Sequence, residues 1–303
     1  MPTTTEHHNG QHHRYYHKST GTMTGTTTRH DHFDDMLALI AHTPDRLSAD
    51  EICSRTMANS GKDWAGIDGG VPAVMDAIKT GWSEGVAAMG KVDMPTVAAA
   101  RTFKRTRRRG EFGYTIDMDD VRNGNLYRAW TRAERGSATG PRNVTILANV
   151  GCNAGIRAEQ LMWRGVAYLV LADALTNAGY NVRVIIGTGT AGVNTARTFN
   201  TASTCTVKDF DEPLNIDTLA TACAMAGVKR YLFHRLQYPD TGEQSYGLGY
   251  TDDTVLRDAA ERDIKVDSND MLLFAPSSIL DRHAALAWVR QSIKEVTGVD
   301  PAE

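Results

Sequence analysis

Two short apolar strands separated by one long apolar helix constrain the fold of this chain more than any other feature. VTILANV (144–150) has the composition of a buried strand. IRAEQLMWRGVAYLVLADALTNAG (156–179) follows as a long helix with a nearly all-apolar middle, and Gly179 is a good C-cap. Leu161, Gly165, Tyr168, Leu169 and Leu175 sit on related faces of it. NVRVIIG is the second strand, and the alternation continues. STCTVKDFD reads as a short strand, LNIDTLATACAMAG as a helix with Asp217 in its first turn, and VKRYLFHRL as a strand. DDTVLRDAAERD reads as a helix, VDSNDMLLFAP contains a last strand, and ILDRHAALAWVRQSIKEVTG closes as a helix. This order predicts an α/β fold, with a mostly parallel, doubly wound sheet and helices on both faces.

The rest of the chain divides by composition. Residues 1–29 are Thr, His, Gly and Tyr without a period, which predicts a disordered tail. Its His7, His8, His12, His13 and His17 are capable of weak binding to Zn²⁺, Ni²⁺ or Cu²⁺. Residues 30–140 read as a mainly helical region. Phe33, Met36, Leu37 and Ile40 share one helical face, and Ser48 with Glu51 spells a capping box. Val74, Ile78, Trp82 and Val86 recur at helical spacing, and Pro95 starts a further helix that runs from Met94 into Arg101. EFGYTIDMDD is short and β-like, while DDVRNGNLYRAWTRAER reads as a helix pair or one helix broken at Asn123-Gly124. The turn formers of GSATGPRN (136–143) mark the boundary to an α/β domain over 141–303.

With 303 residues, 41% of them hydrophobic, the chain has material for a packed core, and a net charge of −3 makes no global case for nucleic acid or membrane. Cys53, Cys152, Cys205 and Cys223 form no C-x-x-C and match no zinc spacing, which predicts reduced thiols and a cytoplasmic setting. There is no run of 18 apolar residues and no apolar segment after a basic start, so neither a membrane span nor a secretory signal is expected. The one strong charge cluster is RTFKRTRRRG. Arg101, Lys104, Arg105, Arg107, Arg108 and Arg109 put six cations into nine positions, with Phe103 interleaved. Such a run suits phosphates. It also suits a solvated helix end, where cations favour the dipole, or an acidic protein partner.

Gly187, Gly189 and Gly192 spell G-x-G-x-x-G after a β-branched run, and Asp209 lies 20 residues beyond Gly189. A dinucleotide turn also needs a helix starting at its third glycine. The segment VNTARTFNTAST is rich in Thr and Asn, and its apolar face of Val193, Ala196, Phe199 and Ala202 is thin. An irregular loop and hairpin is the expectation, with no cofactor. A nucleotide-dependent oxidoreductase using residues 187–192 stays as an alternative.

No G-x-S-x-G, Walker loop or H-E-x-x-H is present. Cys152 falls in a strand-to-helix turn, where a helix dipole lowers a thiol pKa, but it has no assigned base. His234 and His283 are the candidates, and His234 lies in an apolar run typical of a core. The acidic clusters DFDE (209–212) and DSND (267–270) read as solvated loops.

Three stretches carry a family resemblance over roughly residues 142–297: VTILANVGCNAG with its helix, ALTNAGYNVRVIIG, and VKDFDEPLNIDTLATACAMAGVKRYLFHRL. Their order resembles a von Willebrand factor A-type domain, closest in arrangement to those of cobalt-chelatase subunits. The chain also resembles uncharacterised phage-encoded proteins that pair such a domain with an N-terminal G-W-x-E-G, here Gly81 to Gly85. In that family the first strand ends in D-x-S-x-S, which holds Mg²⁺ or Mn²⁺. Here those positions are Asn149, Gly151 and Asn153, so the carboxylate and both serines are gone. Thr188 or Thr190, and Asp240, fall where the family's later ligands do. No tight metal is expected, with Asn149, Asn153 and Thr188 as the weak remaining ligand set.

The resemblance implies a non-enzymatic interaction or assembly protein with a degenerate metal site, phage-encoded and accessory or virion-associated, with a ring ATPase or virion component as partner. The expected partner surface lies at the carboxyl ends of the strands, at Asn149, Gly151, Cys152, Asn153, Gly187, Thr188, Gly189 and Thr190, with the loop Tyr238–Gly249 beside it. A nucleic-acid-binding protein using Arg101–Arg109 is the second expectation.

Overall fold

The computed structural model describes residues 3–9, 12–18, 23–42, 61–89, 105–110, 115–135, 143–153, 155–193, 198–236, 250–264 and 270–298. Its strands are β1 (Thr3–Asn9), β2 (His12–Lys18), β3 (Met23–His30), β4 (Arg105–Gly110), β5 (Thr115–Ile116) and β6 (Trp130–Arg135). They continue with β7 (Asn143–Asn149), β8 (Asn181–Val193), β9 (Thr198–Lys208), β10 (Tyr250–Thr251) and β11 (Met271–Phe274). The helices are α1 (Phe33–His42), α2 (Lys62–Ala65), α3 (Gly70–Thr80), α4 (Ser83–Met89), α5 (Met118–Arg122), α6 (Ala158–Asn177), α7 (Ile216–Ala224), α8 (Asp253–Asp263) and α9 (Arg282–Thr297).

The α/β class holds. One eight-stranded mixed sheet runs in the order β1-β2-β3-β9-β8-β7-β11, with β10 attached to β8. The pairs β3–β9, β7–β8 and β7–β11 are parallel, and the others in this sheet are antiparallel. Alternate residues of β7 and β8 serve two cores. Val144, Ile146, Ala148, Val182, Val184 and Ile186 join the α6 face, while Leu147 and Ile185 pack with Leu256, Ala260 and Ile264 of α8 or its end. Burial on both faces is why these two strands read as continuous apolar runs. On the α6 side, α6 packs between α7 and α9. In α9, Ala285, Val289, Ile293 and Val296 supply a helical apolar stripe.

The Thr-rich segment after Gly192 is the second arm of a hairpin. β8 pairs with β9 from Val193 opposite Thr198 to Val184 opposite Lys208, with an irregularity at Val184/Ile185. Strand structure continues straight through Gly187-Thr188-Gly189. The helix that a dinucleotide turn requires is therefore replaced by a strand, and the oxidoreductase alternative loses its structural basis.

Several expectations are corrected. The segment expected as a disordered tail forms β1, β2 and β3, and β3 lies parallel to β9 from Met23 opposite Thr198 to His30 opposite Cys205. Thr27, Thr28 and His30 are buried. Threonine is poor in apolar surface but β-branched, and it suits a strand whose backbone groups pair on both sides. The main sheet thus crosses the boundaries expected near 30 and 140, and α2, α3 and α4 pack on α6 or α7.

VKRYLFHRL is helical, with a π-helical segment over Val228–Phe233 that continues as helix to residue 236. Residues 228–234 are all buried, and a short apolar run buried all round does not distinguish helix from strand by periodicity. The place beside β7 goes to β11, with Met271 opposite Val144. The described part of the Arg-rich run, Arg105–Gly110, forms strand β4, and WTRAER forms β6. The helical spacing expected across residues 71–89 breaks at Gly81, whose φ is 89°. The capping box at Ser48, the helix from Met94, and Arg101, Lys104 and Asp240 lie outside the described residues.

Candidate functional site

The carboxyl end of β7 is closed by its own side chains. The Asn149 Oδ1 accepts from the Gly151 N–H at 2.7 Å, and its Nδ2 donates to the Asp253 Oδ1 at 2.7 Å. The second Asp253 oxygen accepts from the Ser277 N–H at 2.9 Å, and the Asn153 Oδ1 accepts from the Thr251 N–H at 3.1 Å. From α6, buried Arg164 donates to the Asn149 and Gly151 carbonyls at 3.1 and 2.7 Å, and the Tyr168 hydroxyl donates to Asn149 O at 3.0 Å. The loop after β7 is thus latched from both faces of the sheet.

This arrangement does not fit the divalent cation of the resembled family. Asn149 contributes a neutral amide whose N–H faces Asp253, so the one carboxylate at the site is already a hydrogen-bond acceptor twice over. The Thr188 hydroxyl is buried without a partner, but a single hydroxyl does not replace carboxylate charge. Among the described residues no group of three His, Cys, Asp or Glu side chains comes together.

The glycines of the G-x-G spelling have a steric reason. The Asp252 N–H donates to the Gly189 carbonyl at 3.0 Å, and Asp252 caps α8 through the Thr254 and Val255 amides. The first turn of α8 therefore presses on β8. A Cβ on Gly189 would lie 2.5 Å from Leu256 N and 2.6 Å from Asp252 O, and one on Gly187 would lie 2.7 Å from Leu256 Cδ1. These positions seat a helix and leave no room for a pyrophosphate. Of the eight residues expected to form a partner surface, Asn149, Gly151, Cys152, Gly187, Thr188, Gly189 and Thr190 are buried, and Asn153 alone is exposed. The expected surface at the strand ends is interior. Residues 238–249 beside it lie outside the described residues.

The described thiols lie inside the protein. Cys152, Cys205 and Cys223 are free and buried. Burial pushes the Cys223 thiol up to about 12 and holds that of Cys205 well above its ordinary value. His234 is driven down to about 4, first by burial and then by Lys229, so it is neutral at pH 7. Burial lowers Lys229 to about 8. His283 is exposed on α9.

An open cavity lies beside the latched loop. It measures about 500 Å³ and is bounded by α2, Trp82 and the start of α6. Trp64, Trp82, Ile156, Ala158 and Met162 line it, and the exposed Lys62, Asp63, Arg157 and Glu159 surround its mouth. A second cavity of about 430 Å³ adjoins it and shares Lys62, Gly66 and Trp82. The G-W-x-E-G stretch builds one wall. Gly81 ends α3 with its N–H on the Ala77 carbonyl, and the Trp82 ring covers Gly85, where a Cβ would fall 2.0 Å from Cε3. Beneath the cavity, buried Arg230 donates to the carbonyls of Trp64 and Ile156, and to that of Asn153 at 3.5 Å. Its guanidinium stacks 4.6 Å from the Trp64 ring centre. Tyr231 meets the same ring edge-on at 5.9 Å.

Sequence reasoning missed Arg164 and Arg230. The available signal was a cation inside an otherwise apolar run, LMWRGVAYLVL in one case and VKRYLF in the other. A charge kept in such a run is one that the fold buries and satisfies with carbonyls.

Residues 105–110 of the basic run belong to a three-stranded antiparallel ribbon in the order β4-β6-β5. Its register sets Arg105 opposite Arg135 and Arg108 opposite Arg132. Arg109 is committed elsewhere, to Asp120 at 2.6 Å and Asp117 at 3.1 Å. Among the described residues, four of the five exposed large apolar side chains lie in the same unit: Ile116, Met118, Leu126 and Tyr127. The fifth is Ile216.

A family model whose description reads Domain of unknown function (DUF7192) matches residues 15–283. No curated protein matches the chain, and no solved structure matches it.

Proposed function

The chain belongs to the DUF7192 family, and we propose that it is a non-enzymatic interaction protein that holds nucleic acid on its basic ribbon. The observation that carries this reading is the arginine-on-arginine register of β4 and β6. Like charges directly opposite one another weaken a strand pair, and phosphates brought against either pair reverse the sign of that term. Residues 105–135 hold eight arginines against five carboxylates, although the whole chain is at −3. Arg109 consumes two of those carboxylates. A β-ribbon is one of the elements that enters a nucleic-acid groove, and exposed Tyr127 adds a ring on which a base can stack.

The test is a titration of the full chain against a labelled duplex and a labelled single strand at several salt concentrations. The expected result is an affinity that falls steeply with salt. Neutralising Arg105, Arg108, Arg132 and Arg135 to Gln should lower the log–log salt slope by about one for each phosphate no longer neutralised. Binding that ignores these substitutions, or no binding at low salt, defeats the reading.

A protein partner is the second reading, favoured by the four exposed apolar side chains on the same unit. It requires an acidic polypeptide with apolar anchors, and its binding would respond to Leu126→Ser more than to salt.

A further inference from the structure

Resting on the nucleic-acid reading above, we infer that the phosphates are held on one face of the ribbon, and that Asp117 and Asp120 keep one arginine of that face from them. Successive residues of a strand alternate between faces, and residues directly opposite share one. Arg105, Arg107 and Arg109 of β4 therefore lie on one face, with Arg135, Ala133 and Thr131 of β6 opposite them. Arg108 and Arg132 lie on the other face, with Thr106, Glu134, Gly110 and Trp130. Ile116 of β5 joins that second face opposite Trp130, and Thr115 joins the first. The first face thus has four arginines and no carboxylate among its strand residues, while the second mixes two arginines with a glutamate and an apolar pair. Alternate positions along β4 are about 6.6 Å apart. Three cations at that repeat suit a chain of anions better than a single one.

The row ends in an arginine that is already occupied. Arg109 donates to the Asp120 Oδ2 at 2.6 Å and to the Asp117 Oδ2 at 3.1 Å. Asp117 is held in place by the helix it caps, since its Oδ1 accepts from the Asp119 and Asp120 N–H groups at 3.1 and 3.4 Å. Two carboxylates on one guanidinium leave a net negative charge at this end of the face. They also take the donors that a phosphate would use. The Arg109 side chain is 48% exposed, so each ion pair by itself is weak. The two act together, however, and both belong to the same short segment as Arg109, so their tether gives them an advantage over a free anion. Asp117 and Asp120 are thus an internal competitor for phosphate, and Arg109 joins the row when they are neutralised.

The experiment measures how affinity for a labelled duplex and a labelled single strand depends on salt, in the full chain and its variants. The two arms distinguish which form supplies the phosphates. Arg105→Gln, Arg107→Gln and Arg135→Gln together should flatten the log–log slope, by about 0.9 per lost phosphate contact on the duplex or about 0.7 on the single strand. Arg108→Gln with Arg132→Gln should leave the slope unchanged. Asp117→Asn with Asp120→Asn should tighten binding by about fivefold or more and steepen the slope by one contact. Asn caps a helix as well as Asp does, so α5 keeps its start. Arg109→Gln should leave the wild-type slope as it is and abolish the steepening in the aspartate variant, which separates a freed arginine from a change in net charge. Far-UV circular dichroism and a thermal midpoint report whether each variant is folded. If the triple variant is not, Arg107→Gln, opposite Ala133, carries the face assignment. Equal flattening by both arginine sets overturns that assignment, and an unchanged slope in the aspartate variant overturns the competition, while wild-type binding stands in both cases. No salt-dependent binding by the wild-type chain overturns the nucleic-acid reading and this inference with it.

Discussion

At the scale of single residues, Gly187 and Gly189 show how one spelling serves two structures. Their identity was plain in the sequence, but their purpose depends on what stands opposite them, which is the first turn of α8. Gly189→Ala should destabilise the fold by about 1–3 kcal/mol, because the new carbon meets helix backbone that cannot swing away. Gly155→Ala, where a Cβ meets nothing within 4 Å, should stay within about 0.5 kcal/mol. Urea unfolding of the two variants checks the contrast, and equal midpoints would dismiss the seating argument. Asn149 carries a second prediction. Asn149→Asp restores the carboxylate of the resembled motif but sets it against Asp253, in place of a 2.7 Å hydrogen bond. A loss of about 3 kcal/mol at pH 7 is expected. The pair would hold a proton in the folded state that the unfolded chain has lost, so the penalty shrinks as pH falls toward the ordinary carboxylate range. Unfolding midpoints of this variant at pH 7.5 and 4.5 should therefore converge on wild type at the lower pH.

At the scale of elements, most helices and strands of the second half were legible, since their apolar periodicity reports one or two buried faces. The hairpin β8–β9 was legible too, because Thr-rich sequence is a weak helix and an adequate strand. The run VKRYLFHRL was not. Residues 228–234 of it are buried on every side, so no polar face exists there to reveal a period. That burial has a measurable consequence at His234, whose imidazole is held neutral down to about 4. In the unfolded chain it takes a proton near pH 6.5. The unfolded state therefore binds more protons between those values, and stability contributed by this group is lost as pH falls from about 6.5 to about 4, by up to about 3 kcal/mol. His234→Gln should flatten this part of the stability profile, and an unchanged slope would show that other groups set it. The hydrogen-exchange protection factors of residues 228–236, taken against the intrinsic exchange rate at each pH, should fall over the same window in the wild-type protein.

At the scale of the whole molecule, the N-terminal strands extend the main sheet. Deleting residues 1–30 would expose the outer edge of β9 and remove the buried Thr27, Thr28 and His30, with the Arg262 to Thr27 hydrogen bond of 2.6 Å. The truncated chain should melt at lower temperature and self-associate on gel filtration, as open sheet edges do. A monomer with an unchanged midpoint would show that these strands add nothing. For the candidate sites, the Arg-rich run and the G-W-x-E-G stretch were visible as residues, but the ribbon and the cavity they build were not. Local sequence determined the α/β class, the two central strands, the long helix between them and the absence of a helix after Gly192, because each follows from periodicity and propensity over neighbouring residues. Tertiary structure alone decided that Gly189 seats α8, that Asn149 is spent on Gly151 and Asp253, and that the register sets Arg105 opposite Arg135. Each of these depends on partners distant in sequence, and close approach, hydrogen-bond satisfaction and strand register exist only once the chain has closed on itself.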